Sequence, residues 1–251
     1  MRSIIVNADD FGLTRGTSLG IMWAFREGLV TSTTIMATGT DFAQSAKLAK
    51  FAKIPVGLHL CLSYGRPVFN PRDIRSLVDE KGFFKKIEDL QHDKPQLHHV
   101  EKEWRAQIAA LKAAGIHPDH LDSHHYVNEV LGDDILGIFA KLARELNVPA
   151  RHTKEYAKEI LRAKNVKTPD FFCGSFYGEH VGAKDIMEIL SQQHGGVTEL
   201  MCHPGQYDGA IDTVSSYSRG REVELRALLA PEVIDYARQT GIKFISFADL
   251  L

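Results

Sequence analysis

The chain has 251 residues, 44% of them apolar, a length that fits one large α/β domain or two small ones, with ample material for a core. Its 30 Lys and Arg balance 32 Asp and Glu to a formal charge of −2, so no basic surplus exists to hold a nucleic-acid backbone. No apolar run approaches the roughly 18–20 residues of a membrane-spanning helix, which argues equally against a membrane partner.

The opening Met1-Arg2-Ser3-Ile4-Ile5-Val6 passes straight into Asn7-Ala8-Asp9-Asp10. A secretory segment needs an apolar stretch of about 7–15 residues, and this one is far shorter. Cys61, Cys173 and Cys202 are dispersed and odd in number, and each sits in an apolar, strand-like stretch. They read as small buried thiols in a reducing compartment, and the expected location is the cytoplasm.

In chain order, short β-branched runs alternate with longer amphipathic ones. Strands are expected at residues 4–6, 32–37, 56–62, 120–123, 148–151, 171–176, 197–202 and 242–247. Helices are expected at 16–28, 42–52, 100–114, 133–146 and 231–240. The third of these places Trp104, Ile108 and Leu111 at spacings of four and three, with Gly115 closing it. This alternation predicts a parallel sheet with crossover helices, a single α/β domain over 1–251 curled into a distorted (β/α) TIM-like barrel. An open doubly wound sheet is the competing architecture. Residues 64–97, rich in Pro, Gly and charge with a short helix near 85–90, interrupt the repeat. They form an insertion that is expected either to cover a pocket or to be a solvated excursion.

Four strand ends carry groups that can do chemistry. Asp9-Asp10 follows the first strand, where a barrel places its active site, although an acidic helix cap would read similarly. In Gly57-Leu58-His59-Leu60-Cys61-Leu62 the leucines share one face and His59 takes the other. In Asp119-His120-Leu121-Asp122-Ser123-His124-His125, Asp122 shares a face with His124, so a carboxylate can orient the imidazole. His203, followed by Pro204-Gly205, ends the seventh strand. One carboxylate and two imidazoles leave open positions on a divalent ion, the arrangement of a hydrolytic site or of an iron oxygenase.

These segments resemble the YdjC/ChbG-like carbohydrate deacetylase family. The resemblance rests on Ile5-Val6-Asn7-Ala8-Asp9-Asp10-Phe11-Gly12, Val30-Thr31-Ser32-Thr33-Thr34, Gly57-Leu58-His59-Leu60, His120-Leu121-Asp122-Ser123-His124-His125, Phe176-Tyr177-Gly178-Glu179 and Met201-Cys202-His203-Pro204. It implies a distorted barrel that hydrolyses the acetamide of N-acetylglucosamine-type saccharides or chito-oligosaccharides. It implies one divalent metal ion, Mg or Zn first, held by Asp10, His59 and His124, with Asp9 as general base and His203 as general acid. One departure stands out. Many members read Asp-Ser-His-His-His-Val-His, whereas this chain has Tyr126 and Asn128 at the last two histidine positions.

Candidates for substrate contact are Tyr64, Asp122, His125, Arg151, Phe176 and Tyr177, the aromatics as sugar platforms. A homodimer is one candidate assembly. Two rival functions are a metal-dependent phosphoesterase, for which Arg15 and Arg151 would supply the basic groups, and a saccharide-binding protein without catalysis.

Overall fold

The computed structural model describes residues 2–251. The strands are β1 (Arg2–Phe11), β2 (Ser32–Ile35), β3 (Val56–Leu60), β4 (Leu121–Ser123), β5 (Phe171–Cys173), β6 (Gly196–Cys202) and β7 (Lys243–Ile245). They pair in parallel in the order β4-β3-β2-β1-β6-β5, with β7 on β1. The length of β1 lets it carry three neighbours. One edge pairs with β6, while the other pairs with β7 near its start and with β2 near its end.

The curled sheet is completed between β4 and β5 by irregular backbone. Ala150 bridges Leu121, and its N–H donates to Lys167 O. The result is a distorted TIM-like barrel. The strand expected at 148–151 is reduced to that one bridge, because Pro149 has no N–H to extend the ladder. The strand expected at 171–176 stops at Cys173 before Gly174, and the one at 242–247 gives way to a 3-10 turn at Phe247–Leu250.

Period-two alternation sorts each strand into two faces. Ile4, Val6, Leu58, Leu60, Leu200 and Cys202 pack outward with helix residues such as Ile21, Trp104 and Leu136 in the main core. The inward residues form layers. At the bottom lie Ile5, Ile245 and Phe247, with the His120 ring stacked on Phe247 at 3.8 Å. Gly57 faces that ring so closely that an added Cβ would clash with it. His120 is therefore a core residue, bonded through Nδ1 to Asp119. Above it sit Asn7, Thr34, Asp122, Arg151 and Glu199, all buried. Asp9, Asp10, His59, His124 and His203 stand at the mouth.

Helix Arg15–Glu27 starts at Thr14, whose hydroxyl accepts from Thr17 N–H, and ends at Gly28. Helix Leu97–Ala113 buries Val100, Trp104, Ile108 and Leu111 as its spacing requires; each such side chain contributes about 1.5–3 kcal/mol. Four further helices, Val127–Val130, Glu155–Ala163, Ala183–Ser191 and Arg219–Leu229, were not among those expected. Among the described residues, no helix is long and apolar enough to cross a membrane.

The 64–97 insertion is anchored by a few buried side chains, while much of its length is exposed. Ile74, Leu77, Val78, Phe84 and Leu90 join the main core. The Glu103 carboxylate accepts from Val68 N–H and Phe69 N–H at 3.0 and 2.9 Å, tying the segment to helix Leu97–Ala113. Among the described residues, Tyr64 is the insertion's contribution to the cleft at the barrel mouth. Cys61 and Cys202 are buried thiols as expected, whereas Cys173 is only half-buried beside Ser175.

Candidate active site

Adjacent residues of a regular strand point to opposite faces. Asp9 and Asp10 nevertheless open on one cleft, because β1 is bulged between Ala8 and Phe11. Those two residues pair with Thr33 and Ile35, three steps on β1 against two on β2. The extra residue is absorbed at Asp10, whose φ of 70° is left-handed. Such a conformation costs a non-glycine residue about 1–3 kcal/mol, and surrounding contacts must hold it.

Those contacts differ for the two carboxylates. Arg151 grips Asp9 through both oxygens, Nη1 to Oδ2 at 2.6 Å and Nη2 to Oδ1 at 2.7 Å, and Asn7 Nδ2 donates to Oδ1 at 2.9 Å. Burial alone would raise the Asp9 pKa, but the guanidinium outweighs it and brings the group to about 2. Asp10 receives Arg221 Nη2 on Oδ2 at 2.7 Å, while its buried Oδ1 has no hydrogen-bond partner among the described residues. Against the cost of burial, Arg221 and His124 hold Asp10 well below the usual carboxylate range.

Asp10 Oδ1 faces two imidazole nitrogens. His59 Nε2 lies 3.4 Å away, His124 Nδ1 lies 3.2 Å away, and the two nitrogens are 3.3 Å apart. Ligands about 2.0–2.1 Å from a tetrahedral ion stand roughly 3.3 Å from one another, so this triangle suits one small divalent cation. An orphaned buried carboxylate oxygen beside two imidazole nitrogens fits the same group. Asp122 Oδ1 takes His59 Nδ1 at 2.7 Å, which fixes the ring so that Nε2 points at the triangle. Asp122 thus orients His59, not His124 as its shared face suggested.

His203 lies at the lip of β6. Its backbone N–H donates to Glu224 Oε2, and its Nδ1 is 4.0 Å from Glu224 Oε1. The Tyr217 hydroxyl donates to the same Oε1 at 2.6 Å. Burial pushes His203 down to about 4 and Glu224 up to about 8. Tyr217 and Tyr177 stack at 4.2 Å beside the imidazole. Asp9, Asp10, His59, His124, His203, Tyr177, Tyr217 and Arg221 line a cleft of about 500 Å³.

The family model described as YdjC-like protein matches residues 3–239. This chain belongs to the YdjC-like family. It is 36% identical over 250 residues to a carbohydrate deacetylase of Clostridium beijerinckii, covering 98% of this chain and 99% of that one. It is 34% identical over 254 residues to a chitooligosaccharide deacetylase of Yersinia pestis, covering 98% of each. A crystal structure from Enterococcus faecalis V583 superposes with a TM-score of 0.93 at 32% identity, covering 99% of this chain and 98% of that one.

Within this YdjC-like barrel the remaining sequence candidates divide. Tyr64, His125 and Tyr177 line the cleft with Asp9, Asp10, His59, His124 and His203. Asp122, Arg151 and Phe176, also offered as substrate contacts, are buried and are not among the residues that line it. Arg151 additionally binds Glu199 Oε1 and Asp122 Oδ2, at 2.6 and 3.0 Å. Arg15 is on the outside, paired with Asp41, so neither arginine offered for a phosphate faces the cleft.

Arg221, Glu224, Tyr217 and Glu199 escaped sequence reasoning. A signal existed for two of them. Arg221, Glu224, Leu225 and Leu228 follow the i, i+3, i+4, i+7 pattern of a buried helical face, and charged residues inside such a stripe mark a buried polar network.

Proposed function

We propose that this YdjC-like protein hydrolyses the acetamide of N-acetylated sugars, of N-acetylglucosamine or chito-oligosaccharide type, with one divalent cation held by Asp10, His59 and His124. The observation that carries this is the convergence of their three ligand atoms, 3.2–3.4 Å apart, in a cleft shared with Asp9 and His203. The deacetylase relatives over nearly the full chain support the substrate class. Mg or Zn suits the donor set, and the free thiols of Cys61, Cys173 and Cys202 fit a cytoplasmic setting.

Bound there, a divalent cation supplies Lewis-acid polarisation of the acetamide carbonyl and lowers the pKa of water from 15.7 towards about 7. Asp9, ionised at neutral pH, accepts the proton of the attacking water. Its Oδ2 receives only Arg151 Nη1 among its hydrogen bonds, so a lone pair remains free for that transfer. Arg151 and Asn7 fix the carboxylate in place. As the amide C–N bond breaks, the His203–Glu224 pair delivers its proton through the imidazole to the departing nitrogen, leaving acetate and a free amino sugar. Tyr177 and Tyr217 offer ring faces to the sugar beside that imidazole.

The test is product release from a panel of N-acetylated mono- and oligosaccharides and generic phosphate esters, with metal supplied. Acetate from the sugars and no phosphate from the esters is expected. Phosphate release without acetate would overturn the assignment.

A further inference from the structure

Resting on that deacetylase reading, we infer that Met201 and Tyr126 form the wall that limits the acyl chain to acetyl. Along β6 the inward side chains are Glu199, Met201 and His203 in turn. Glu199 is bound to Arg151 in the layer below, and His203 is at the lip. In register, Met201 pairs with Asn7, the residue whose amide holds Asp9. Met201 thus stands one step deeper than the proton donor and one strand from the base.

Tyr126 closes against it. The Tyr126 hydroxyl donates to Met201 Sδ at 3.0 Å, and its ring meets Phe172 edge-on at 6.1 Å. Gly174 completes the wall, and an added Cβ there would lie 2.9 Å from the Phe172 ring and 3.6 Å from Met201 Cε. The thioether, the ring and the bare glycine make this face apolar, and Leu13 and Val214 supply a second apolar stretch of the same cleft. His125 and Tyr126, both left-handed with φ of 54° and 55°, turn the chain so that Tyr126 reaches this position.

The chemistry assigns the occupant. The departing nitrogen must face His203 at the lip, with the sugar on the Tyr177–Tyr217 side, so the acyl chain points the other way, inward to Met201. Methyl is the one apolar group of the reacting acetamide. A longer chain requires Met201 or Tyr126 to move, and Phe172 backs Tyr126.

The experiment compares kcat/KM for N-acetyl, N-propionyl and N-butyryl glucosamine oligosaccharides on the metal-loaded enzyme. One methylene in an apolar pocket changes kcat/KM by about 10- to 200-fold. Met201→Ala should raise the propionyl-to-acetyl ratio within that range. Met201→Val, a milder cut, should move it in the same direction, and Tyr126→Phe, which removes only the contact with sulfur, should do so weakly. An acetate-releasing parent whose acyl preference is unchanged in the folded Met201 variants overturns this assignment and leaves the deacetylase reading standing. So does a change in preferred sugar length with no change in acyl preference. No acetate from the parent defeats both.

Discussion

Arg151 binds both oxygens of Asp9, at 2.6 and 2.7 Å, while the next residue, Asp10, leaves Oδ1 buried without a hydrogen bond among the described residues. Two carboxylates adjacent in sequence are thereby given opposite assignments. One is tethered and kept ionised beside the cleft, and the other presents a bare oxygen to two imidazoles.

Asp9→Asn should lower turnover by about 10²–10⁴-fold, the usual worth of general-base assistance. Metal content after dialysis should match the parent. Asp10→Asn should lose metal and turnover together. Acetate-release rates measured beside metal analysis separate the two, and a metal-free Asp9→Asn protein would show that the assignments are reversed.

Arg151→Met should destabilise the fold by about 3–5 kcal/mol, because Asp9, Asp122 and Glu199 would be left buried without their shared cation. Urea denaturation at neutral pH measures it. In the parent, the depressed Asp9 pKa contributes stability that is present above its ordinary 3.8 and lost as pH falls towards about 2. The stability gap between parent and variant should therefore narrow over that acid window. A gap that is constant with pH would contradict the pairing.

On the proposed mechanism the departing amine takes its proton from the His203–Glu224 pair, in which burial raises Glu224 to about 8 and lowers His203 to about 4. An acid must be protonated to act, so kcat/KM should fall as pH rises past about 8. Glu224→Gln removes the carboxyl and leaves only the acidic imidazole. Its alkaline limb should move to lower pH, with reduced activity at neutral pH. An unshifted limb in the pH profile would show that Glu224 does not hold the proton.

Much of this site was visible in the order of residues. The alternation of Gly57-Leu58-His59-Leu60 fixes which way His59 points, and the structure places it inward, above His120. Asp9-Asp10 was visible as a pair, but the bulge that turns both into one cleft depends on how β2 aligns, and a strand's own sequence does not contain that register. Arg151 reads as a free basic group until the fold surrounds it with three carboxylates from three strands. Phe176 and Tyr177 look equivalent in sequence, and only packing buries the first and leaves the second at the cleft. The helix Arg219–Leu229 was not among the expected elements. Its Arg221 and Glu224 turn inward because they share a face with Leu225 and Leu228.

The central claim is that Asp10, His59 and His124 share one cation, and metal titration of the chelator-stripped protein tests it most directly. The parent should take up one equivalent per chain and regain acetate release as it does so, while His59→Ala and His124→Ala should do neither. A stripped parent that still turns over at its full rate, or a His59→Ala, His124→Ala double variant that binds the equivalent unchanged, would contradict it.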